Sequence, residues 1–239
     1  MCLKIVLDGV KNVDDMSEAL VVAAKKGLTQ YLRILLDKGA DINVRDIRSC
    51  GETPLLFAID NNKEECVDLL LERGANPNIC DRNNWNALMY AATSDNPQYI
   101  DKVLRTKKVD INSKENEGYT ALMLAAENGN VESLVKLITC NARLDCYQVF
   151  RCKQTALMLA VANNRFECVV ELLRAGADPH VVDSKGKTAL DWAEDNSKMV
   201  TELLKYGATA NYVTDSLRSI IQSIAQENIL GDIVSLSLN

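Results

Sequence analysis

The sequence has 239 residues, of which 47% are hydrophobic and 25% are charged, as in ordinary folded proteins. This balance excludes a chain that is disordered throughout, because disordered chains lack the apolar side chains that form a core. Aromatic residues make up only 5%, so a core must be built from Leu, Ile, Val and Ala, which favours packed helices over a β-sandwich.

The net charge of −6 argues against direct binding to nucleic acid. Proteins that bind DNA or RNA carry a strongly basic face, and no run of Lys or Arg here is longer than two residues. The apolar runs are well short of the ~20 residues that span a bilayer. The start of the chain, Met1 to Asp8, is too short and too soon charged for a signal peptide. We therefore expect no membrane insertion and a location in the cytoplasm or the nucleus.

The cysteine and histidine pattern predicts no metal site and no cofactor. The eight cysteines include no Cys-x-x-Cys pair, and His180 is the one histidine in the sequence. Structural zinc sites need clustered ligands of these two types. No glycine-rich phosphate-binding motif occurs either.

A six-residue motif recurs along the chain at intervals of 33 to 35 residues. It reads EALVVA, TPLLFA, NALMYA, TALMLA, TALMLA and TALDWA, and it begins at Glu18, Thr53, Asn86, Thr120, Thr155 and Thr188. Self-similarity with a fixed period of this size indicates a repeat protein, in which each unit buries its apolar face against the next.

Two further signals follow each motif. About 17 residues after each start, allowing for insertions and deletions, the register predicts a leucine on the buried face of a second helix: Leu35, Leu70, Leu104, Leu137, Leu172 and Leu203. Glycine then follows at Gly39, Gly74 and Gly176, where a helix end calls for positive φ. Asn141 and Lys108 replace it in two units, and asparagine tolerates that conformation better than lysine.

This order of elements resembles the ankyrin repeats. That family has a T-P-L-H-x-A-like first helix, a second helix ending in Leu-Leu, and a G-A-D-x-N element, which reads GADIN here from Gly39. The resemblance implies an all-α solenoid of helix–turn–helix units joined by β-turn fingers. It divides the chain into an N-terminal extension (1–13), an ankyrin repeat domain (14–213) and a C-terminal segment (214–239), with repeats near 14–47, 48–80, 81–114, 115–149, 150–182 and 183–213.

Several units depart from the family pattern. The histidine of the first-helix motif is replaced throughout, by Asp191 in the sixth repeat and by apolar residues elsewhere. Two fingers, around residues 46–48 and 147–150, are two residues longer than the others and are expected to project further. One extra residue near 95–97 is expected to lengthen the turn between the two helices of the third repeat. The sixth repeat is two residues short around 194–197.

The C-terminal segment begins with a helical pattern. Leu217, Ile220, Ile221 and Ile224 fall at i, i+3, i+4 and i+7, which predicts an amphipathic helix. It either caps the last repeat or belongs to a degenerate seventh one. The chain is expected to be a monomer or to self-associate weakly through this unit.

We expect no catalytic residue. A Ser–His–Asp or Cys–His arrangement would have to use His180, which occupies the finger position that Asn43 and Asn78 hold in other repeats. In ankyrin arrays, partners commonly bind the concave side formed by the fingers and first helices, near the positions just before the motif. Carried over to this sequence, that rule assigns as partner-binding residues Arg82, Trp85, Glu117, Tyr119, Tyr147, Phe150 and Arg151.

The central candidates are Trp85 and Tyr119. They are equivalent residues of adjacent repeats, so stacked helices would place them roughly 8–10 Å apart, with Arg82 nearby. Trp, Tyr and Arg are enriched at interface hot spots, which favours a binding site. The competing interpretation is that each ring packs on a neighbouring finger and seals a gap.

The resemblance thus implies a non-catalytic scaffold or adaptor that binds a protein or peptide. Two alternatives stay open. One is an inhibitor or ubiquitin-ligase adaptor, and the other is the regulatory array of a larger multidomain protein, such as an enzyme, a channel or an RNA-pathway scaffold. Because fold alone does not give function, the sequence does not decide among them.

Overall fold

The computed structural model describes residues 13–106, 109–148 and 152–226, and all regular secondary structure in these ranges is helical. The helices are α1 Val13–Lys26, α2 Thr29–Asp37, α3 Pro54–Asp60, α4 Glu64–Glu72, α5 Ala87–Thr93, α6 Gln98–Leu104, α7 Ala121–Asn128, α8 Val131–Thr139, α9 Ala156–Ala162, α10 Phe166–Arg174, α11 Ala189–Trp192, α12 Ser197–Lys205 and α13 Asp215–Gln226. The predicted all-α fold is confirmed.

The chain forms two compact units, Met1–Asp110 and Ile111–Asn239. In the first unit, α1 packs on α3 and α3 on α5, while α2 packs on α4 and α4 on α6. The second unit repeats this pairing, with α7, α9 and α11 in one row and α8, α10 and α12 in the other. First helices therefore stack on first helices and second helices on second helices within each unit.

The first residue of the recurring motif caps a first helix. Thr53 is extended, and its hydroxyl accepts a hydrogen bond from the Leu56 main-chain N–H, while Pro54 occupies the first turn. Asn86 caps α5 in the same way through the N–H groups of Leu88 and Met89. These side chains satisfy N–H groups that have no partner inside the helix, so from the second repeat onwards the motif fixes where the first helix begins. In the first repeat, the motif starts at Glu18, inside α1.

The predicted leucines are buried in every repeat except the third. Leu70 and Leu137 are fully buried, but in the third repeat Val103 is fully buried and Leu104 is half-buried. Val103 lies 17 residues after Asn86, as Leu70 does after Thr53. The turn between α5 and α6 has four residues, against three in the second repeat, as expected. The spacing from the helix start to the buried residue is nevertheless unchanged, so the extra residue of this repeat does not shift the core register before Val103.

The helix ends follow the sequence prediction. Gly39 and Asn141 adopt the left-handed conformation, with φ of +88° and +64°. Glycine reaches this region without a steric penalty and asparagine with a small one. Lys108 lies outside the described residues.

The fingers are short turns closed by a main-chain hydrogen bond. Asp81 N–H donates to the Trp85 carbonyl over four residues at 3.0 Å, whereas Asp46 N–H donates to the Glu52 carbonyl over six residues at 3.0 Å. A six-residue closure also joins Gln148 N–H to Gln154. The two fingers predicted to be longer are longer by two residues.

The sixth repeat is short, as the sequence predicts, since α11 has only four residues. Asp191, in the place of the family's histidine, is 8% exposed. Its Oδ2 accepts the main-chain N–H groups of Thr188 at 2.7 Å and Asn211 at 3.1 Å, and its Oδ1 accepts that of Tyr212 at 2.7 Å. One carboxylate thus connects the start of α11 to the chain that leads into α13.

The amphipathic pattern after residue 214 forms α13, which packs on α12. Leu217, Ile221 and Ile224 are buried on one face, while Ile220 is half-buried. Residues 227–239 are outside the described part of the chain. The helix is confirmed, and its assignment as a cap or as part of a seventh repeat stays a prediction.

Candidate functional site

Trp85 and Arg82 lie on the same finger, between α4 and α5. Arg82 is exposed, and its main-chain N–H donates to the Cys50 carbonyl at 2.7 Å while its guanidinium donates to the Ile47 carbonyl at 3.0 Å. Ser184 makes the equivalent main-chain bond to Cys152 at 2.7 Å. Each long finger is therefore tied to the finger that follows it, and Ile47 at the first tip is 80% exposed.

Trp85 packs against Tyr90 of α5 in the same repeat. The Trp85 side chain is half-buried, and the two ring centroids are 5.5 Å apart with an edge-to-face angle of 71°. The Tyr90 hydroxyl donates to the Asp81 carboxylate at 3.1 Å, and the same carboxylate accepts the Trp85 main-chain N–H at 2.7 Å. The ring contact of Trp85 is thus with α5 of its own repeat, whereas the predicted packing on a neighbouring finger stays a prediction.

Carboxylates surround Tyr90. Burial raises the pKa of the Tyr90 hydroxyl, and the negative charges of Asp81, Glu52 and Asp60 add to the rise. Burial also raises the pKa of Asp60, with Glu52 raising it further and Lys25 lowering it. We call Glu52, Asp60, Trp85 and Tyr90 the acidic-aromatic cluster. It lies where the fingers meet the first helices of the first unit.

Tyr119 and Glu117 lie on the corresponding finger of the second unit. Tyr119 is only 7% exposed, so little of its ring is available to a partner in this conformation. Glu117 is half-buried. Both donate main-chain N–H groups to the buried Glu115 carboxylate, at 2.8 Å from Glu117 and 2.9 Å from Tyr119. The proposed proximity of Tyr119 to Trp85 stays a prediction.

Tyr147 begins the second long finger and is 47% exposed. Its carbonyl accepts the Lys114 ammonium at 2.9 Å, and that ammonium lies 5.1 Å from the ring centroid. Tyr147 also forms a β-bridge with Thr155 at the base of the finger. Phe150 and Arg151, predicted at the tip, lie outside the described residues.

Tyr90 and the buried acids of the fingers are further functional candidates that were not predicted from the sequence. A finger acid recurs at Asp81, Glu115 and Asp183, and each carboxylate accepts main-chain N–H groups of its own turn. These acids recur at the repeat period, so their spacing in the sequence could have indicated a shared structural role. Gln148 takes the equivalent place in the fourth finger and is 1% exposed.

His180, which a Ser–His–Asp or Cys–His arrangement would have to use, lies at the protein surface. The exposed His180 Nδ1 lies 3.2 Å from the Thr209 hydroxyl. Among the described residues, no group of three His, Cys, Asp or Glu side chains is placed to hold a metal ion. The described helices also include none that is long and apolar enough to span a membrane.

The cysteines differ sharply in accessibility, which gives a direct test of the fold. Cys50 and Cys140 are exposed, whereas Cys66 and Cys168 are 1% exposed. Burial raises the pKa of the Cys168 thiol to about 11, so little thiolate is present near pH 8. We expect iodoacetamide to label Cys50 and Cys140 at least about a hundredfold faster than Cys168, measured by peptide mass spectrometry. Equal rates for Cys50 and Cys168 in the folded protein would contradict the packing of α10.

Comparison with known proteins identifies the repeat. The family model described as ankyrin repeats (3 copies) matches residues 2–81, 73–146 and 122–214. An ankyrin repeat protein of fowlpox virus (strain NVSL), FPV031, is 34% identical over 143 residues, which cover 56% of this chain and 40% of that protein. The human transient receptor potential cation channel subfamily A member 1 is 30% identical over 136 residues, covering 56% of this chain and 12% of the channel. The chain thus spans less than half the length of either relative.

Solved structures agree on the fold. An ankyrin repeat domain from Acinetobacter baumannii AYE matches with a TM-score of 0.69 and 30% identity, over 80% of this chain and 98% of that one. The ankyrin repeat domain of Bcl-3 matches with a TM-score of 0.75 over 85% of this chain and 97% of that one. At 22% identity, the second likeness shows the fold alone.

Proposed function

Because the chain belongs to the ankyrin repeat family, whose domains are generally protein–protein interaction modules, we propose that it is a non-catalytic module that binds a protein or peptide. The binding surface is the one that the fingers and first helices form. One observation carries this proposal: Trp85 is only half-buried and lies beside Tyr90 and an exposed Arg82. These residue types dominate interface hot spots.

The absence of catalysis is part of the same proposal. His180 is exposed, and its Nδ1 atom contacts the Thr209 hydroxyl rather than a serine or a cysteine. The buried thiol of Cys168 is held in its neutral, unreactive form near neutral pH. We further propose that the protein acts in the cytoplasm or nucleus, as a monomer or with weak self-association through α13.

A second candidate is the regulatory array of a larger protein. The observation that favours it is the partial coverage of relatives, since the match spans 12% of the human channel. The likeness to the solved Bcl-3 domain, at 22% identity, shows the fold alone, so the inhibitor or ubiquitin-ligase adaptor alternative stays a prediction. An intact-mass measurement of the native protein separates the array of a larger chain from a self-standing module.

The test of the main proposal is a selection of binding peptides from a random phage-displayed library on the immobilised full chain. For the selected peptides, we expect Trp85→Ala to weaken binding about thirtyfold, as truncation of a hot-spot aromatic does. The same change should cost about 1 kcal/mol of stability, because it removes the contact with Tyr90. Affinity is measured by calorimetry and stability by urea unfolding.

Tyr206→Ala is the matched control, since Tyr206 is a 40% exposed aromatic at the end of α12. It should leave the affinity of the selected peptides unchanged. If Trp85→Ala and Tyr206→Ala bind these peptides equally well, Trp85 is a packing residue and the proposed surface is wrong.

A further inference from the structure

A main-chain hydrogen bond joins successive fingers at the same place in the repeat. The Cys50 carbonyl accepts the Arg82 N–H at 2.7 Å. The Cys152 carbonyl accepts the Ser184 N–H at 2.7 Å. Each acceptor lies three residues before the motif of its own repeat, and each donor lies four residues before the motif of the next. A finger therefore offers a carbonyl to the finger that follows it and an N–H to the finger that precedes it.

The fingers end one unit before the helices do. The last finger, residues 183–187, precedes α11, and its Lys185 occupies the acceptor place. Eight residues lead from Asn78 to the cap of α5 and include a finger, whereas three lead from Asn211 to Thr214, the cap of α13. Three residues are too few for a finger, so the described part of the chain supplies no further finger to the Lys185 carbonyl.

Two side chains take the place of the missing finger. The Tyr212 hydroxyl donates to the Lys185 carbonyl at 2.8 Å, and the Asn211 side-chain amide donates to the Gly186 carbonyl at 2.9 Å. The Asp191 carboxylate holds the main-chain N–H groups of residues 211 and 212. Tyr212 is nevertheless 52% exposed. An exposed side chain on a fixed backbone thus covers the edge to which another finger would bond.

The first finger, residues 46–52, has the complementary group. Ser49 occupies the donor place, four residues before Thr53. Its N–H has no hydrogen-bond partner in the ranges that the structure describes. The Arg45 side chain donates to the Gly51 carbonyl at 3.1 Å and so holds the finger in shape without using this N–H. The first finger presents the donor that the last finger lacks.

We propose that the last finger is a docking edge for the first finger of a second copy, and that Tyr212 holds this edge closed. When the Tyr212 side chain is displaced, the Lys185 carbonyl accepts the Ser49 N–H of the second copy, as fingers bond within one chain. Native proteins commonly cover edges that could pair with another molecule. A head-to-tail contact of this kind can extend into open chains of copies, which gives the closure a purpose.

This inference rests on the proposed weak self-association and assigns the contact to the fingers instead of α13. Tyr212→Phe removes the hydroxyl, and Tyr212→Ala removes the ring as well. Because the Lys185 carbonyl then lacks its donor, we expect self-association to strengthen at least about fivefold for Tyr212→Phe, and further for Tyr212→Ala. Sedimentation equilibrium of the full chain measures it. Tyr206→Ala, which removes another exposed tyrosine, should leave it unchanged.

A disulfide test identifies the contact. Lys185→Cys places a thiol on the last finger, and Cys50, the neighbour of Ser49, is exposed on the first. Paired strands lie about 5 Å apart, within the span of a disulfide. In the Tyr212→Ala background, diamide should produce a linked dimer in which mass spectrometry finds the new thiol joined to Cys50. Cys140, exposed at the end of α8, should not be joined.

The outcomes separate this proposal from the peptide-binding surface. A cooperative melt with the wild-type helical signal establishes that the variants are folded. If neither Tyr212 variant associates more strongly than the wild type, or if Cys140 is joined as readily as Cys50, the docking edge is wrong. Trp85→Ala should leave the association unchanged, so that result leaves the surface around Trp85 standing. Wild-type association that ignores both Tyr212 variants supports a contact through α13 and overturns the docking edge alone.

Discussion

Replacing Asp191 with alanine is expected to lower the free energy of unfolding by about 3 kcal/mol. The change leaves the main-chain N–H groups of Thr188, Asn211 and Tyr212 without the acceptor they share. The bond from Thr188 is buried and the other two are part-buried, and a buried donor that loses its partner costs roughly 1–3 kcal/mol. Urea unfolding followed by circular dichroism measures the loss. Asp191→Asn keeps one acceptor oxygen and should show an intermediate loss.

Asp37→Ala is the matched control for this prediction. Asp37 accepts a hydrogen bond from Arg73 at 2.8 Å, but both side chains are exposed, at 57% and 36%. An exposed ion pair contributes only about 0–1 kcal/mol because water screens it and both side chains lose freedom. Equal losses for Asp191→Ala and Asp37→Ala would mean that the buried carboxylate does not hold the end of the sixth repeat together.

Removal of residues 216–239 is expected to lower the melting temperature by more than about 5 °C, or roughly 2 kcal/mol for a chain of this size. The deletion removes Leu217, Ile221 and Ile224, which are buried against α12. Burial of one such side chain contributes about 1.5–3 kcal/mol, and the entropy cost of ordering the helix offsets part of the sum. Thermal unfolding followed at 222 nm measures the change.

A pair of neighbouring substitutions separates packing from helix formation. Ile221 is fully buried and Gln222 is exposed on the same helix. Ile221→Ala should cost about 2–4 kcal/mol, while Gln222→Ala should stay within about 0.5 kcal/mol. If the deletion and Ile221→Ala both leave the melting temperature unchanged, α13 contributes nothing to the last repeat and the capping prediction is wrong.

Local features of the structure could be predicted from the sequence because they depend on a few neighbouring residues. Thr53 and Asn86 mark helix starts, since their side chains accept the first N–H groups of the helix. Gly39 marks a helix end because the backbone there requires positive φ. The lengths of the fingers follow from the spacing between motifs.

Packing register and exposure were predicted less well. The leucine pattern predicts Leu104, but the distance from the helix start decides which residue faces the core, and that residue is Val103. Tyr119 occupies the same place in its repeat as Trp85 and is nevertheless buried to 7% exposure. Equivalent positions share a backbone conformation, whereas exposure depends on the neighbours that each repeat supplies.

The sequence by itself determined the family, the all-α class, the starts of the capped first helices and the finger lengths, because period and capping are properties of the chain. Only the tertiary structure decided that the charges of Glu52 and Asp60 act on Tyr90 and that Tyr90 packs on Trp85, since these residues come from two successive repeats. Burial and charge depend on distances through space. The burial of the Glu52 Oε2 atom, which has no hydrogen-bond partner among the described residues, therefore could not be predicted from the spacing of residues along the chain.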